Sequence, residues 1–197
     1  LILHVGIDLW GTNNSKITNN TIASDWAGIA LWDSSNNTLS YNTVSNNYYG
    51  IFLGGSNNII YLNNIIHNNY GIFLGGSNNI IYLNNIIHNT NSASSYGENN
   101  FWNSTKKITY TYNDRQYTNY LGNYWDDCEG ADADTDGIGD APYSIKYKDK
   151  DNHPLTEPFE NYALQAAPMP TPSGFEAILS TAGLLAVTYI LLRRRRE

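Results

Sequence analysis

A single cysteine, Cys128, in 197 residues rules out an internal disulfide and any zinc site built on cysteines. Something other than covalent or zinc stapling must therefore close the core. Basic residues are also scarce, with 11 Lys and Arg against 18 Asp and Glu and a formal net charge of −7. Arg193–Arg196 and Glu197 together contribute +3, which leaves −10 for everything before them. Phosphate recognition needs clustered Lys and Arg on the folded part, so no nucleic acid partner is expected. Long apolar runs are missing until residue 177. With 41% hydrophobic and 15% charged residues, the composition is that of one moderate domain with a small appendage.

What is abundant is repetition. Gly6-Ile7, Gly28-Ile29, Gly50-Ile51 and Gly71-Ile72 recur at spacings of 22, 22 and 21 residues, a solenoid period. Residues 49–68 and 70–89 are identical, so the unit has been duplicated. The first residue is Leu1, the opening Leu-Ile-Leu-His-Val lacks a basic start and a cleavage site, and the repeat is already running at Gly6. The expectation is of a fragment whose upstream coils and export signal are missing.

Apolar residues fall into columns: Ile7, Ile29, Ile51, Ile72; Leu9, Leu31, Leu53, Leu74; Ile17, Leu39, Ile60, Ile81; and Ile22, Val44, Ile65, Ile86. Their spacing of two within each piece is the strand period, and the Asn, Gly and β-branched content excludes helix. Strands this short cannot bury a face alone. Stacked about 4.8 Å apart, each pairs with its copy and the columns fuse into one core. The expected fold is all-β: a right-handed parallel β-helix of about 22 residues per coil over residues 1–91, with a β-rich cap over 92–162. The column Asn20, Asn42, Asn63, Asn84 reads as an asparagine ladder. A leucine-rich horseshoe shares the period but needs a different consensus and a helical return.

The Gly-Ile-x-Leu, Ser-x-Asn-Asn and Asn-x-Ile coils resemble the NosD-type β-helix, a fold also found in carbohydrate-binding and sugar-hydrolase domains. Asn100-Phe101-Trp102-Asn103-Ser104 and Asn119-Tyr120-Leu121-Gly122-Asn123-Tyr124-Trp125 resemble the cap of archaeal surface proteins in that family. The resemblance thus covers about residues 1–162. It implies copper handling, since family members are described as periplasmic copper proteins serving nitrous oxide reductase maturation. His67 and His88 occupy equivalent positions one coil apart, where their imidazoles would stack at about 5 Å and share copper.

In the cap, Lys107–Tyr112 alternates, Asn113-Asp114 supplies a turn, and Tyr117–Tyr120 returns, which is a hairpin pattern. Trp102, Tyr110, Tyr112, Tyr120 and Trp125 are expected to pack the cap, because the last coil exposes strand edges and apolar columns. Residues 126–140 hold seven acids and no Lys or Arg. Asp132, Asp134, Asp136 and Asp140 stand at positions 1, 3, 5 and 9 of a calcium-type loop, with Gly137 at 6 and the Ile138 carbonyl at 7. The loop resembles those of thrombospondin type 3 and dockerin modules, and implies a structural calcium ion. Position 12, where a helical calcium loop carries Glu, is Tyr143, so Asp127, Asp149 or Asp151 is the candidate to complete the shell.

A Pro-rich linker over 163–174 precedes a membrane-length segment, 175–197, in which uncharged Ala177–Leu192 is followed at once by Arg193–Arg196. The basic cluster stays cytoplasmic and places the coils outside. The order of motif, apolar segment and basic tail resembles the archaeal PGF-CTERM sorting signal, carried by Pro172, Gly174 and Phe175 with Ser173 interposed. That resemblance implies processing by an archaeosortase-like enzyme and anchoring at the cell surface. Asn13, Asn19, Asn36 and Asn103 begin N-glycosylation sequons suited to that compartment.

Three functions are therefore weighed. The first is a non-catalytic surface protein, structural or glycan-binding, whose partners are envelope or S-layer components. The second is a copper-binding accessory protein. The third is a polysaccharide lyase or hydrolase, for which Asp8 and Asp33 are the only plausible carboxylate pair, since residues 1–97 hold no acids besides these and Asp25 and no Lys or Arg besides Lys16.

Overall fold

The computed structural model describes residues 4–165. Each coil contributes three short strands: β1 (Val5–Trp10), β2 (Lys16–Thr18) and β3 (Thr21–Ala23) in the first, β4 (Ala27–Trp32), β5 (Thr38–Ser40) and β6 (Thr43–Ser45) in the second. The third coil is β7 (Tyr49–Leu53), β8 (Ile59–Tyr61) and β9 (Asn64–Ile66), and the fourth β10 (Tyr70–Leu74), β11 (Ile80–Tyr82) and β12 (Asn85–Ile87). Like pairs with like in parallel. The first sheet runs β1-β4-β7-β10 and continues into β13 (Asn91–Ser95), so the expected coil boundary at residue 91 falls at the start of a fifth strand.

The register joins Ile7 to Ile29, Ile29 to Ile51 and Ile51 to Ile72, and the Leu, Ile17 and Ile22 columns follow in the same way. From Ile29 onward these side chains have 0% exposure. This is a parallel β-solenoid of about four turns and about 21 residues per coil, a little tighter than the period of 22 because the later copies are one residue shorter.

Corners are made by a two-residue device. One residue takes a left-handed φ, as Asn57 (58°), Leu62 (55°) and His67 (56°) do in the third coil, and the next is a buried Asn that locks the turn. A carboxamide suits this place because it both donates and accepts. Asn42 Nδ2 donates to Asn63 Oδ1 (3.0 Å) and to the Ile17 carbonyl (2.9 Å), and Asn42 N donates to Asn63 Oδ1 (3.0 Å). The expected ladder from Asn20 to Asn84 is present, and two more run beside it, through Asn37, Asn58, Asn79 and Asn100 and through Asn47, Asn68 and Asn89.

The cap covers the last coil with aromatics. β14 (Ile108–Tyr112) and β15 (Arg115–Asn119) form the hairpin, turning at Asn113 and Asp114 with φ of 46° and 62°, the left-handed pair of a tight hairpin. β16 (Tyr124–Trp125) pairs in parallel with β12 and sets Trp125 in the Ile86 column, while Phe101 bridges Ile80 and brings Trp102 to 0% exposure in the same core. β17 (Tyr143–Ser144), β18 (Lys150–Asp151) and β19 (Ala163–Leu164), which pairs with β14, complete it.

The cap also descends the side of the stack. A second core joins Leu62 and Leu83, which point outward from their corners, to Tyr110, Tyr112, Leu121, Ile138, Leu155 and Tyr162. Leu121 and the Trp and Tyr residues assigned to cap packing are buried except Tyr120, which stacks half-exposed on His153 at 5.3 Å. Among the described residues no helix is long and apolar enough to cross a membrane. The expected membrane segment and the motif residues Pro172, Gly174 and Phe175 lie outside the described residues.

Candidate functional site

The acidic loop closes on itself through its own carboxylates. Asp132 accepts from Asp136 N (3.1 Å) and Gly137 N (2.9 Å), and Asp136 accepts from Ile138 N (2.8 Å) and Asn119 Nδ2 (3.2 Å). Gly137 has φ +87°, and a Cβ there would meet the Tyr162 ring at 2.8 Å and the Tyr112 ring at 2.9 Å, so the turn admits only glycine. Tyrosines fasten the loop to the hairpin: Tyr110 donates to the Asp136 carbonyl (2.8 Å), Tyr117 to the Thr135 carbonyl (3.0 Å) and Tyr162 to the Gly137 carbonyl.

Asp132, Asp134 and Asp136 bring ligand oxygens within 4.8 Å of one another, the one such set of three among the described residues. Burial raises the Asp136 carboxyl above the usual range, and Asp134 and Asp132 add to that against its hydrogen bonds. Hard oxygens converging on one point fit calcium, and the cation would offset their mutual repulsion. Asp140 stands outside the set and accepts from Ala133 N (3.0 Å). The proposed twelfth ligands are engaged elsewhere. Asp127 accepts from Tyr143 (3.1 Å), Asp149 from Trp102 Nε1 (3.2 Å), and Asp151 lies beneath the cap.

His67 and His88 occupy left-handed corners one coil apart, with ring centroids 5.1 Å apart. His88 Nδ1 contacts Asp126 at 2.5 Å, and the same carboxylate accepts His88 N (2.8 Å). Cys128 is half-buried, and burial raises its thiol. Of the sequon residues, Asn13, Asn19 and Asn36 are exposed, whereas Asn103 is half-buried and donates to the Ser104 carbonyl (2.9 Å). Asp8 accepts from Trp10 Nε1 (3.0 Å), and Asp33 is exposed with φ 45°.

Nothing in the sequence reasoning anticipated the outer face of the first sheet. There Trp10 stacks on Trp32 (5.2 Å), Trp32 on Phe52 (4.3 Å), Phe52 on Phe73 (5.1 Å), Phe73 on Tyr96 (5.2 Å) and Tyr96 on Tyr147 (4.3 Å). Trp26, Tyr49 and Tyr70 flank the row. The available signal was the outward x of Gly-Ile-x-Leu, which is Phe in both identical copies. Trp10, Tyr96 and Tyr147 are exposed and Trp32, Phe52 and Phe73 half-buried, which makes the row a candidate interaction face.

The family profile described as Periplasmic copper-binding protein (NosD) matches residues 3–130. A second profile, the PGF-CTERM motif, matches residues 174–195. No curated protein and no solved structure matches the chain.

Proposed function

Because the chain belongs to the NosD family and carries a PGF-CTERM motif, we propose that it is a non-catalytic β-helix protein of the cell surface, held to the membrane by its C-terminal segment. The observation that carries this reading is the motif at 174–195, which begins ten residues beyond β19, the last described strand. A rigid stack tethered to the membrane presents its faces to envelope components and glycans. The coil is right-handed under the rule for parallel crossovers.

Calcium, held by Asp132, Asp134 and Asp136 with the Ile138 carbonyl, serves this design by fixing the acidic loop to the hairpin. Copper, which the family description names, is the second reading. The donors fit it less well: two imidazoles, one of them engaged with Asp126, with a single Met and a single Cys in the whole chain. No step is drawn through copper.

In a cell that makes the full chain, a membrane-impermeant amine reagent labels Lys106, Lys107 and Lys148, and a chain ending at residue 165 is released to the medium. Protection of those lysines in intact cells, with labelling only after lysis, would overturn the surface assignment.

A further inference from the structure

The aromatic face of the first sheet contains an opening that packing does not require. The pairs Gly54-Gly55 and Gly75-Gly76 each have two members of different kinds, and Gly97, after Tyr96, repeats the second kind. Gly55, Gly76 and Gly97 are buried, and a Cβ on them would lie 1.9, 1.8 and 1.8 Å from a carbonyl oxygen of the preceding coil, so glycine is obligatory there. Gly54 and Gly75 are exposed and neither has a left-handed φ. A Cβ on Gly75 would meet only the Leu53 carbonyl oxygen, at an ordinary 3.6 Å, whereas one on Gly54 would crowd the Leu31 carbonyl oxygen at 3.1 Å, so the opening is free of packing demands at Gly75.

Extending the register of Leu31, Leu53, Leu74 and Ser95 by one residue sets Trp32, Gly54, Gly75 and Tyr96 in one outward column. The two glycines therefore leave a notch between Trp32 and Tyr96, three rungs or about 14 Å apart at ~4.8 Å per rung. Phe52 and Phe73 form its side wall, stacked 5.1 Å apart within 4° of parallel, and the Phe52 ring edge lies 3.7 Å from where a Gly54 Cβ would stand.

Charge decides what fits. In residues 1–97 the only Lys or Arg is Lys16, which lies in β2 of a different sheet, while Asp8, Asp25 and Asp33 sit in the first two coils. At the Tyr96 end, Lys146 lies over the Tyr147 ring (5.6 Å) and Lys148 pairs with Glu98 (2.5 Å). Among the described residues no Lys or Arg lines the notch between Trp32 and Tyr96, and Lys146 stands beyond its Tyr96 end, so a phosphate, a uronate or an anionic headgroup gains no cation inside it. A neutral sugar needs none, since its C–H face packs on aromatic rings while its hydroxyls reach the Tyr hydroxyls and backbone at the rim.

We propose that the notch at Gly54 and Gly75, bracketed by Trp32 and Tyr96 and walled by Phe52 and Phe73, is a binding site for neutral saccharide chains. This rests on the surface reading above and names the class of glycan that the displayed face takes. Chain length matters, because a longer oligomer continues along the row from the notch toward Trp10.

The test titrates the full chain in mild detergent, by tryptophan fluorescence, with neutral gluco-, manno- and N-acetylglucosamine oligomers and with oligogalacturonate as the acidic counterpart. The wild type binds neutral oligomers more tightly as they lengthen. Gly75→Tyr, which fills the notch, and Trp32→Ala, which removes one bracket, each weaken binding at least tenfold, with the melting temperature of the Gly75→Tyr protein unchanged. If Gly75→Tyr does not fold, protection of Trp32 from oxidation by the bound oligomer supplies the readout.

Neutral binding unaltered in both variants would overturn the placement. Binding of the acidic oligomer alone would overturn the neutral class while leaving a glycan-binding surface protein in place. Self-association of the chain lost on Gly75→Tyr, without sugar binding, would make a second copy the occupant. Binding of neither class overturns the site, and the lysine-labelling experiment still judges the surface reading on its own.

Discussion

Asn63 shows how one side chain closes four accounts at a corner. Its carboxamide donates to Asn84 Oδ1 and to the Leu39 and Tyr61 carbonyls, and accepts from Asn42. Every carboxamide in this ladder donates toward the cap, so the last one must find an acceptor that no further coil supplies. That acceptor is Asp151. It takes Asn123 N (2.7 Å), Asn123 Nδ2 (3.3 Å), Trp125 Nε1 (3.0 Å) and His153 N (3.0 Å), and Gly122 makes room for it. Burial pushes the Asp151 carboxyl up to about 6 in spite of these donors, from an ordinary 3.8. Because the folded value is the raised one, the ionised form is disfavoured in the fold. That destabilisation is full above pH 6 and fades as the pH falls through 6 toward 3.8. Asp151→Asn removes this pH dependence but turns an amide toward N–H donors. Denaturant midpoints should therefore show the variant less stable by about 1–3 kcal/mol, with a gap that widens as the pH drops from 7 to 5. A gap independent of pH would show that the carboxyl titrates normally.

At the scale of elements, the acidic loop and the hairpin are one unit. Tyr110 and Tyr117 from β14 and β15 hold loop carbonyls, and β19 closes the other side of β14. Calcium bound at Asp132, Asp134 and Asp136, as proposed, would therefore tie down the cap, and its removal should loosen the cap before the coils. At a calcium concentration 100 times its dissociation constant the gain is about 2.7 kcal/mol. A chelator should lower the melting temperature of the full chain. In Asp134→Asn that response should vanish, since Asp134 makes no hydrogen bond within the loop that the substitution would otherwise disturb. Metal analysis should return calcium, and copper uptake should be the same in His67→Ala as in the wild type. A melting curve indifferent to calcium removes the site.

At the scale of the whole molecule, each coil among the described residues pairs its strands with those of the coils next to it, so stability is largely a sum of local terms and interfaces. The cap adds a third contact for coils three and four through Leu62 and Leu83, whereas Tyr41, at the same corner of coil two, is 56% exposed. In the first coil Ile7 and Leu9 are only half-buried. Hydrogen exchange in this chain should thus grade along the axis, fastest in β1 to β3 and slowest in β9, β12 and β16. Uniform protection would mean that the stack opens only as a whole.

The solenoid could be read from the chain because each strand's partner is a copy of itself one period away, so the pairing is written as a repeat: Ile29, Ile51 and Ile72 had to share a row. The same repetition made the Asn20 column visible, and the order of motif, apolar segment and arginines marked the anchor. Contacts without a period left no such trace. Asn123 enters the ladder 39 residues after Asn84, Asp151 meets Asn123 from 28 residues further on, and the cap turns down the side of the stack onto two leucines. The notch is decided by tertiary structure for a different reason: Gly75 and Gly76 look alike in the chain, and only the carbonyls of the preceding coil, 1.8 Å from the Gly76 Cβ position and 3.6 Å from that of Gly75, tell an obligatory glycine from an open surface.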